Sequence, residues 1–323
     1  MKVLTYNIQT TYNDSKERIQ NIANTIKRSN SHIICLQEVS TPEMRNTIND
    51  HLGDEYYIFS SHNYDPEPFP TFAFVPTMCF LILAIFTQTL FKYVYILCSI
   101  LFFPKYTLFC LQFCNELFKL GYEKRIDCQG LCVLISKIVY KPPVVEEVSI
   151  FKNNGYQPEI DVFRWFQITF LRPGYMFVST FEKEGGRQII VCNAHLAMEG
   201  SPGRRLQQAE ELTTTINDYH DKNPDSLIIL AGDMNSDNDI AIQHLNNNLI
   251  TCTETPVVTW DCSNPKTQSN LWSHTDHIFS RQIDYIFCKT SDTITTSAIG
   301  CIGHHGHQQF SDHYGLMGRI LFK

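Results

Sequence analysis

The sequence predicts a mixed α/β domain, and three observations carry that prediction. Short runs rich in Val, Ile, Leu, Tyr and Phe recur along the chain and stop abruptly at polar residues, as strands buried on at least one face do. Helical patterns lie between some of them. The composition is globular, 43% hydrophobic and 18% charged with 15 Gly and 14 Pro in 323 residues, which leaves little room for extensive disorder.

In chain order, VLTYN reads as the first strand, and residues 16–28 then place Ile19, Ile22 and Ile26 on one helical face. HIICLQE is the next strand. Beyond a long apolar stretch come GLCVLISK, RPGYMFVS with Arg172 at its start, and QIIVCNAHL. Residues 204–219 put Leu206, Ala209, Leu212 and Ile216 on one face of a second helix. SLIILAGDMN follows as a strand. Residues 235–270 are polar and are expected to form helix and loop over the rim of the sheets. QIDYIFCK and HYGLMGRILF close the series, and no repeat of fixed period is visible.

A formal net charge of −7 argues against a protein whose affinity comes mainly from neutralising many phosphates of duplex DNA, while leaving a local basic groove open. The twelve Cys are scattered without C-x-x-C pairs. Cys35, Cys132, Cys192 and Cys288 sit inside apolar runs, so they read as reduced core residues, which favours a reducing compartment. KVLTYNI is already a strand pattern with no cleavable apolar region before it, so the mature chain is expected to begin at or near Met1.

Four of the runs deliver a metal-capable or proton-transfer residue at or just past their end: Asn7, Glu38, His195, and Asp233 with Asn235. Asp312 and His313 lie in QQFSDHYGL near the C-terminus. Carboxylates and an amide suit Mg²⁺, a hard cation that takes oxygen ligands, and His suits proton transfer near neutral pH. Together they match metal-assisted attack of water on a phosphoester. Each alone is a weak motif; the ordered set is the signal.

LTYN, LQE, NAHL, GDMN, QIDYIF and FSDHYGL, spread in this order from residue 4 to residue 316, resemble the endonuclease/exonuclease/phosphatase superfamily. The resemblance implies a four-layer αββα sandwich, two mixed β-sheets face to face with helices outside. At one rim it implies a phosphoesterase site using Mg²⁺, with Mn²⁺ as the alternative. It marks Glu38 as the principal metal ligand, Asn7 beside it and Asp312 as a further ligand, direct or through water. Asp233 and Asn235 resemble the pair that positions the nucleophilic water and the phosphate, and His313 resembles the general base. Asp284, in QIDYIF, resembles a carboxylate that orients a catalytic His; His195 resembles the group that stabilises the transition state or protonates the leaving oxygen.

The remaining polar candidates read otherwise. His304, His305, His307, His274 and His277 fit no zinc spacing and read as solvated or substrate-loop residues. Arg204 and Arg205 open the second helix and read as surface arginines in preference to phosphate ligands, as does Arg172.

Members of the superfamily cut DNA, RNA, inositol phosphates, sphingomyelin and protein–DNA adducts, so the fold names no substrate. Apurinic endonucleases and 5′-tyrosyl-DNA phosphodiesterases usually carry an acid where this chain has Gln9, and CQGLCVLISK is similar to a strand of neutral sphingomyelinases. Residues 69–118, inside a catalytic domain that spans 1–323, form an apolar insertion whose only charges are Lys92, Lys105 and Glu116. Residues 72–91 meet the length of a bilayer span, and 93–114 do so if Pro104 and Lys105 are accommodated. Glu38 precedes the insertion and the other acids and His follow it, so a single crossing would divide the site; a hairpin through 72–114, an interfacial segment or a soluble subdomain would not. Lys119, Lys124 and Arg125 would place the enzyme on the cytoplasmic side. The expectation is a membrane-associated phosphodiesterase acting on a phospholipid or sphingolipid headgroup. A nuclease comes second and a catalytically silent, membrane-tethered binding module third; no protein partner can be inferred.

Overall fold

The computed structural model describes residues 1–9, 16–61, 130–151, 174–197, 202–252, 256–269, 279–305 and 308–323. All belong to one unit, Met1–Tyr64 with Asp127–Lys323. The apolar insertion, with the expected spans at 72–91 and 93–114, lies outside the described residues, as do Arg172, His274, His277 and His307. Among the described residues no helix is long and apolar enough to cross a membrane.

Two six-stranded sheets form the centre. The first contains β1 (Lys2–Asn7), β2 (Ile33–Gln37), β3 (Tyr56–Ser60), β4 (Cys132–Ser136), β11 (Ile294–Ile302) and β14 (Gly315–Phe322), in the order β11-β14-β1-β2-β4-β3. The second contains β5 (Val144–Ile150), β6 (Gly174–Phe181), β7 (Gln188–His195), β8 (Leu227–Asp233), β9 (Ile250–Thr251) and β10 (Asp284–Lys289), in the order β5-β6-β7-β8-β10-β9. A two-stranded piece, β12 (His304–His305) with β13 (Gln308–Gln309), completes the strands among the described residues. Both large sheets are mixed: β1 runs parallel to β2 and β7 parallel to β8, and their other pairings are antiparallel.

Period-two alternation assigns the layers. Val3, Ile33, Cys35, Val133 and Ile135 of the first sheet meet Met176, Val178, Val191, Ile229 and Ile286 of the second in one central core. On the far side of the first sheet, Leu4, Tyr6, Ile34 and Leu36 pack with Ile19, Ile22 and Ile26 of helix α1 (Lys16–Ser29) and with Met44 and Ile48 of helix α2 (Pro42–Leu52). On the far side of the second, Ile190, Cys192, Ile228 and Leu230 pack with helix α3 (Pro202–Lys222), through Ala209, Leu212 and Ile216, and with helix α4 (Ile240–Asn248). A short α5 (Pro265–Ser269) follows. This is the four-layer αββα arrangement that the resemblance implies.

Each of the eight runs read as a strand forms one within the described residues, and both helical patterns form helices. The seven cysteines among the described residues are free, and Cys35, Cys132, Cys192, Cys252 and Cys288 are buried. Their thiols act as small apolar side chains.

Gly232 shows how tightly the second sheet closes near its end. A Cβ there would stand 1.8 Å from the Ala194 carbonyl oxygen on the neighbouring strand, so β7 and β8 can run side by side only because position 232 has no side chain. Gly232→Ala is expected to destabilise the fold by about 3 kcal/mol, the upper range for overpacking a close-packed site. A chemical denaturation midpoint indistinguishable from wild type would contradict the close approach.

Candidate active site

Strand register gathers the site. His195 pairs with Asp233 across β7 and β8, and Asp233 pairs with Asp284 across β8 and β10, so three functional residues stand abreast at one end of the second sheet. In the first sheet Asn7 pairs with Gln37, which brings Asn7 beside Glu38. Asp233 is the hub that joins the two groups. Its Oδ2 accepts from Asn7 Nδ2 at 2.9 Å and lies 3.4 Å from His195 Nε2 and 3.7 Å from His313 Nε2. Its Oδ1 accepts the Asn235 backbone N–H at 2.8 Å. Asn7 Nδ2 also donates to Glu38 Oε1 at 3.0 Å.

The backbone leaves the strands by a shared device. Gln9, Glu38 and Asn235 all adopt positive φ, at 53°, 64° and 49°, a region that non-glycine residues occupy only where surrounding contacts hold them. Those contacts are present. Gln9 N–H donates to Asn7 Oδ1 at 2.9 Å, and Asn235 Nδ2 donates to the Leu196 carbonyl at 2.9 Å.

Asp284 and His313 form a buried pair, with His313 Nδ1 2.9 Å from Asp284 Oδ2. Burial works against charge on the His313 ring, yet Asp284, then Asp233, and more distantly Asp312 hold its pKa well above the ordinary imidazole range. Burial, with Asp233 adding repulsion, pushes Asp284 up to about 6 while His313 pulls it back. The two titrate as a unit, and the imidazole is the favoured home of the proton.

Several residues that support this centre escaped the sequence reading. Arg18, buried in α1, donates to the carbonyls of Ile8 at 2.8 Å, Gln9 at 2.8 Å and Phe310 at 2.6 Å. It therefore ties the turn after Asn7 to the turn before Asp312. Ser311 Oγ donates to the Asn7 carbonyl at 2.7 Å, a second link between those turns. Arg205 is not the surface residue that its place at a helix start suggested. It is buried, and its Nε and Nη2 both lie 3.0 Å from Asp239 Oδ2, fixing α3 to the cap of α4 just past Asn235. Burial opposes charge on Asp239, but the Ser236 hydroxyl and Arg205 keep its pKa below the usual range. A charged residue at the start of a helix gave no sign in the sequence of whether it faced solvent or an acid elsewhere.

The donor set fits a divalent cation. Asp233, Asp284 and His313 offer ligand atoms within 4.8 Å of one another, and Asn7 joins this group to Glu38. Carboxylate oxygens predominate, which suits a hard ion, and a bound cation offsets the repulsion between buried acids. This cluster among the described residues thus lies on residues that the resemblance gave to water positioning and proton transfer. Asn7 turns its amino group, not its carbonyl, toward Glu38 and Asp233. Asp312, also buried, has its Oδ1 3.4 Å from Ser311 Oγ.

No curated protein sequence matches the chain. Solved structures do. The structure of D. rerio TDP2 complexed with single strand DNA product is 13% identical with a TM-score of 0.59, covering 99% of this chain and 98% of the other. The human Nocturnin catalytic domain with bound sulfate anion is 13% identical with a TM-score of 0.56, covering 100% and 94%. An endonuclease/exonuclease/phosphatase from Bacteroides vulgatus is 14% identical with a TM-score of 0.61, covering 100% and 98%. At these identities the likeness is one of fold. The sequence profile described as Endonuclease/Exonuclease/phosphatase family, however, matches residues 4–313; the chain belongs to that family and is a metal-dependent phosphoric ester hydrolase.

Proposed function

We propose that this hydrolase is a Mg²⁺-dependent phosphodiesterase acting on a phospholipid or sphingolipid headgroup at the cytoplasmic face of a membrane. One observation carries the lipid reading: the chain leaves for the apolar insertion, and returns from it, beside the candidate site. Ser60 pairs with Cys132, and Ser61 N–H donates to the Leu131 carbonyl at 2.9 Å. Val39 N–H, one residue past Glu38, donates to the Gly130 carbonyl at 2.9 Å. Gly130 has φ of +61°, and a Cβ there would stand 2.6 Å from the Val39 backbone, so only glycine brings the returning chain this close. An apolar anchor rooted at that point would hold the site at the lipid surface where such a substrate lies.

In this reading Mg²⁺, or Mn²⁺ in its place, supplies Lewis acidity at a phosphoryl oxygen. Glu38, Asp233 and Asp312 would hold the ion, with Asn7 arranging the first two. Asp284 receives the Nδ1–H of His313; with the carboxylates that hold the ring protonated offset by a bound cation, Nε2 of the neutral imidazole would then take a proton from the attacking water. The carboxylates of Asp284 and Asp233 favour the imidazolium that results. Asn235, braced between Asp233 and the Leu196 carbonyl, positions water and phosphate. His195, on the other flank of Asp233, stabilises the developing charge or protonates the leaving oxygen. A second reading, a nuclease, is supported by the fold shared with a TDP2 bound to single strand DNA product.

Asp284→Asn is expected to lower kcat by about 10²-fold or more with little change in KM, because an amide carries no charge to support the imidazolium and can present its amino group to Nδ1, favouring the wrong tautomer. Near wild-type kcat would remove Asp284 from this role. A turnover panel of sphingomyelin, phosphoinositides, single-stranded DNA, duplex DNA and RNA should show Mg²⁺-dependent cleavage of lipid only. Cleavage of nucleic acid with the lipids intact would assign the nuclease. The full chain should sediment with membranes and resist high salt and carbonate, whereas a chain with 69–118 replaced by a short Gly/Ser loop should be soluble and still hydrolyse a small phosphodiester. Full-length protein that stays in the soluble fraction without detergent would refute the anchor.

A further inference from the structure

Residues 257–267 supply no group to the proposed chemistry, yet they cross the ends of both sheets at the site. On the second sheet, Thr259 Oγ1 accepts the backbone N–H groups of Ile283 at 3.0 Å and Asp284 at 3.1 Å. Thr259 N–H donates to the Arg281 carbonyl, and Val257 N–H donates to Gln282 Oε1 at 3.0 Å. On the first sheet, the Tyr314 N–H, next to His313, donates to the Thr259 carbonyl at 2.6 Å. Asn264 Nδ2 donates to the Ser311 carbonyl at 2.9 Å, and Thr267 Oγ1 donates to the Asp312 carbonyl at 3.2 Å. Thr259, Asn264 and Thr267 are all buried.

Asp284 belongs to the second sheet, and His313 lies two residues before β14 of the first, so their 2.9 Å bond spans the sandwich. The packing between β10 and β14 is apolar: Ile286 and Leu316 share the central core, and Ile286 lies against Gly318. Apolar contact is non-directional and does not by itself set the separation of a hydrogen-bonded pair to a fraction of an ångström. Thr259 does, because one residue grips the backbone of Asp284 through its hydroxyl and the backbone beside His313 through its carbonyl. We propose that Thr259 is a positioning residue that sets the Asp284–His313 distance across the two sheets. This rests on the roles proposed for that pair.

The test uses the full chain, with proton NMR for the downfield resonance of an imidazole Nδ1–H bonded to a buried carboxylate, assigned by its loss in His313→Gln. Thr259→Val keeps the shape but removes the acceptor. It is expected to shift or erase the resonance and lower kcat about 10- to 100-fold, the scale of small misplacements near the reacting atoms, with KM nearly unchanged. Thr259→Ser restores the hydroxyl and should rescue both readouts. A folded valine variant with resonance and kcat unaltered overturns the proposal. So does a serine variant that lacks the resonance, an outcome that decides even if the valine protein does not fold. If Asp284→Asn leaves kcat intact while Thr259→Val still displaces the resonance, the catalytic roles fail and the positioning inference stands.

Discussion

The site depends on a bridge of buried amides between the two sheets. Asn193 of β7 donates from Nδ2 to the Leu36 carbonyl at 2.8 Å and the Cys132 carbonyl at 3.0 Å, and it accepts from Gln37 Nε2 at 2.8 Å. Gln37 also pairs with Thr5 Oγ1, at 3.1 Å. Asn193 and Gln37 are fully buried, and each side chain polar group left without its partner there would cost about 1–3 kcal/mol. Directional bonds of this kind hold two otherwise apolar faces in one alignment. Because Gln37 precedes Glu38 and Asn193 lies two residues before His195, that alignment decides whether acids from one sheet meet histidines from the other.

Above this bridge, local backbone tension is balanced by specific partners. Glu38, Gln9 and Asn235 each hold a left-handed conformation that costs on the order of 1 kcal/mol or more for a side chain with a Cβ. The reward is direction: a strand that turned into an ordinary loop would carry these side chains away from the rim. Arg18 and Ser311 hold the turns around Asn7 from beneath, and Arg205 with Asp239 holds the chain beyond Asn235.

Much of this was legible in the sequence because strands that end in functional residues combine two signals, apolar periodicity and an abrupt polar stop. Asn7, Glu38, His195 and Asp233 carry both and stand together at the site, while Asp284, which opens its strand, was legible from its motif alone. His313 was legible from its motif. The supporting residues were not, since their partners are distant in the chain: Arg18 reaches Phe310, and Asn193 reaches Leu36. Asn193 and Gln37 did leave a trace, as amides interrupting the runs IIVCNAH and IICLQ. Thr259 left none, because a threonine in a polar stretch looks the same whether it faces water or two backbone N–H groups. β5, with its Glu146 and Glu147, and the exposed alternation of β11 lack the fully apolar run by which eight of the strands were found, and β3 and the two-residue strands β9, β12 and β13 were not read from the sequence either.

The pairing of Ser60 with Cys132, sealed by Ser61 and Leu131, makes the edge of the first sheet a closed port. Chain ends already clasped by a strand pair make the length between them nearly irrelevant: doubling a flexible loop costs only about 0.6 kcal/mol. A segment of almost any size or polarity can therefore be exchanged there without rebuilding the sandwich. Such a port lets the sequence between its two jambs vary while Glu38 and the rest of the site keep their places.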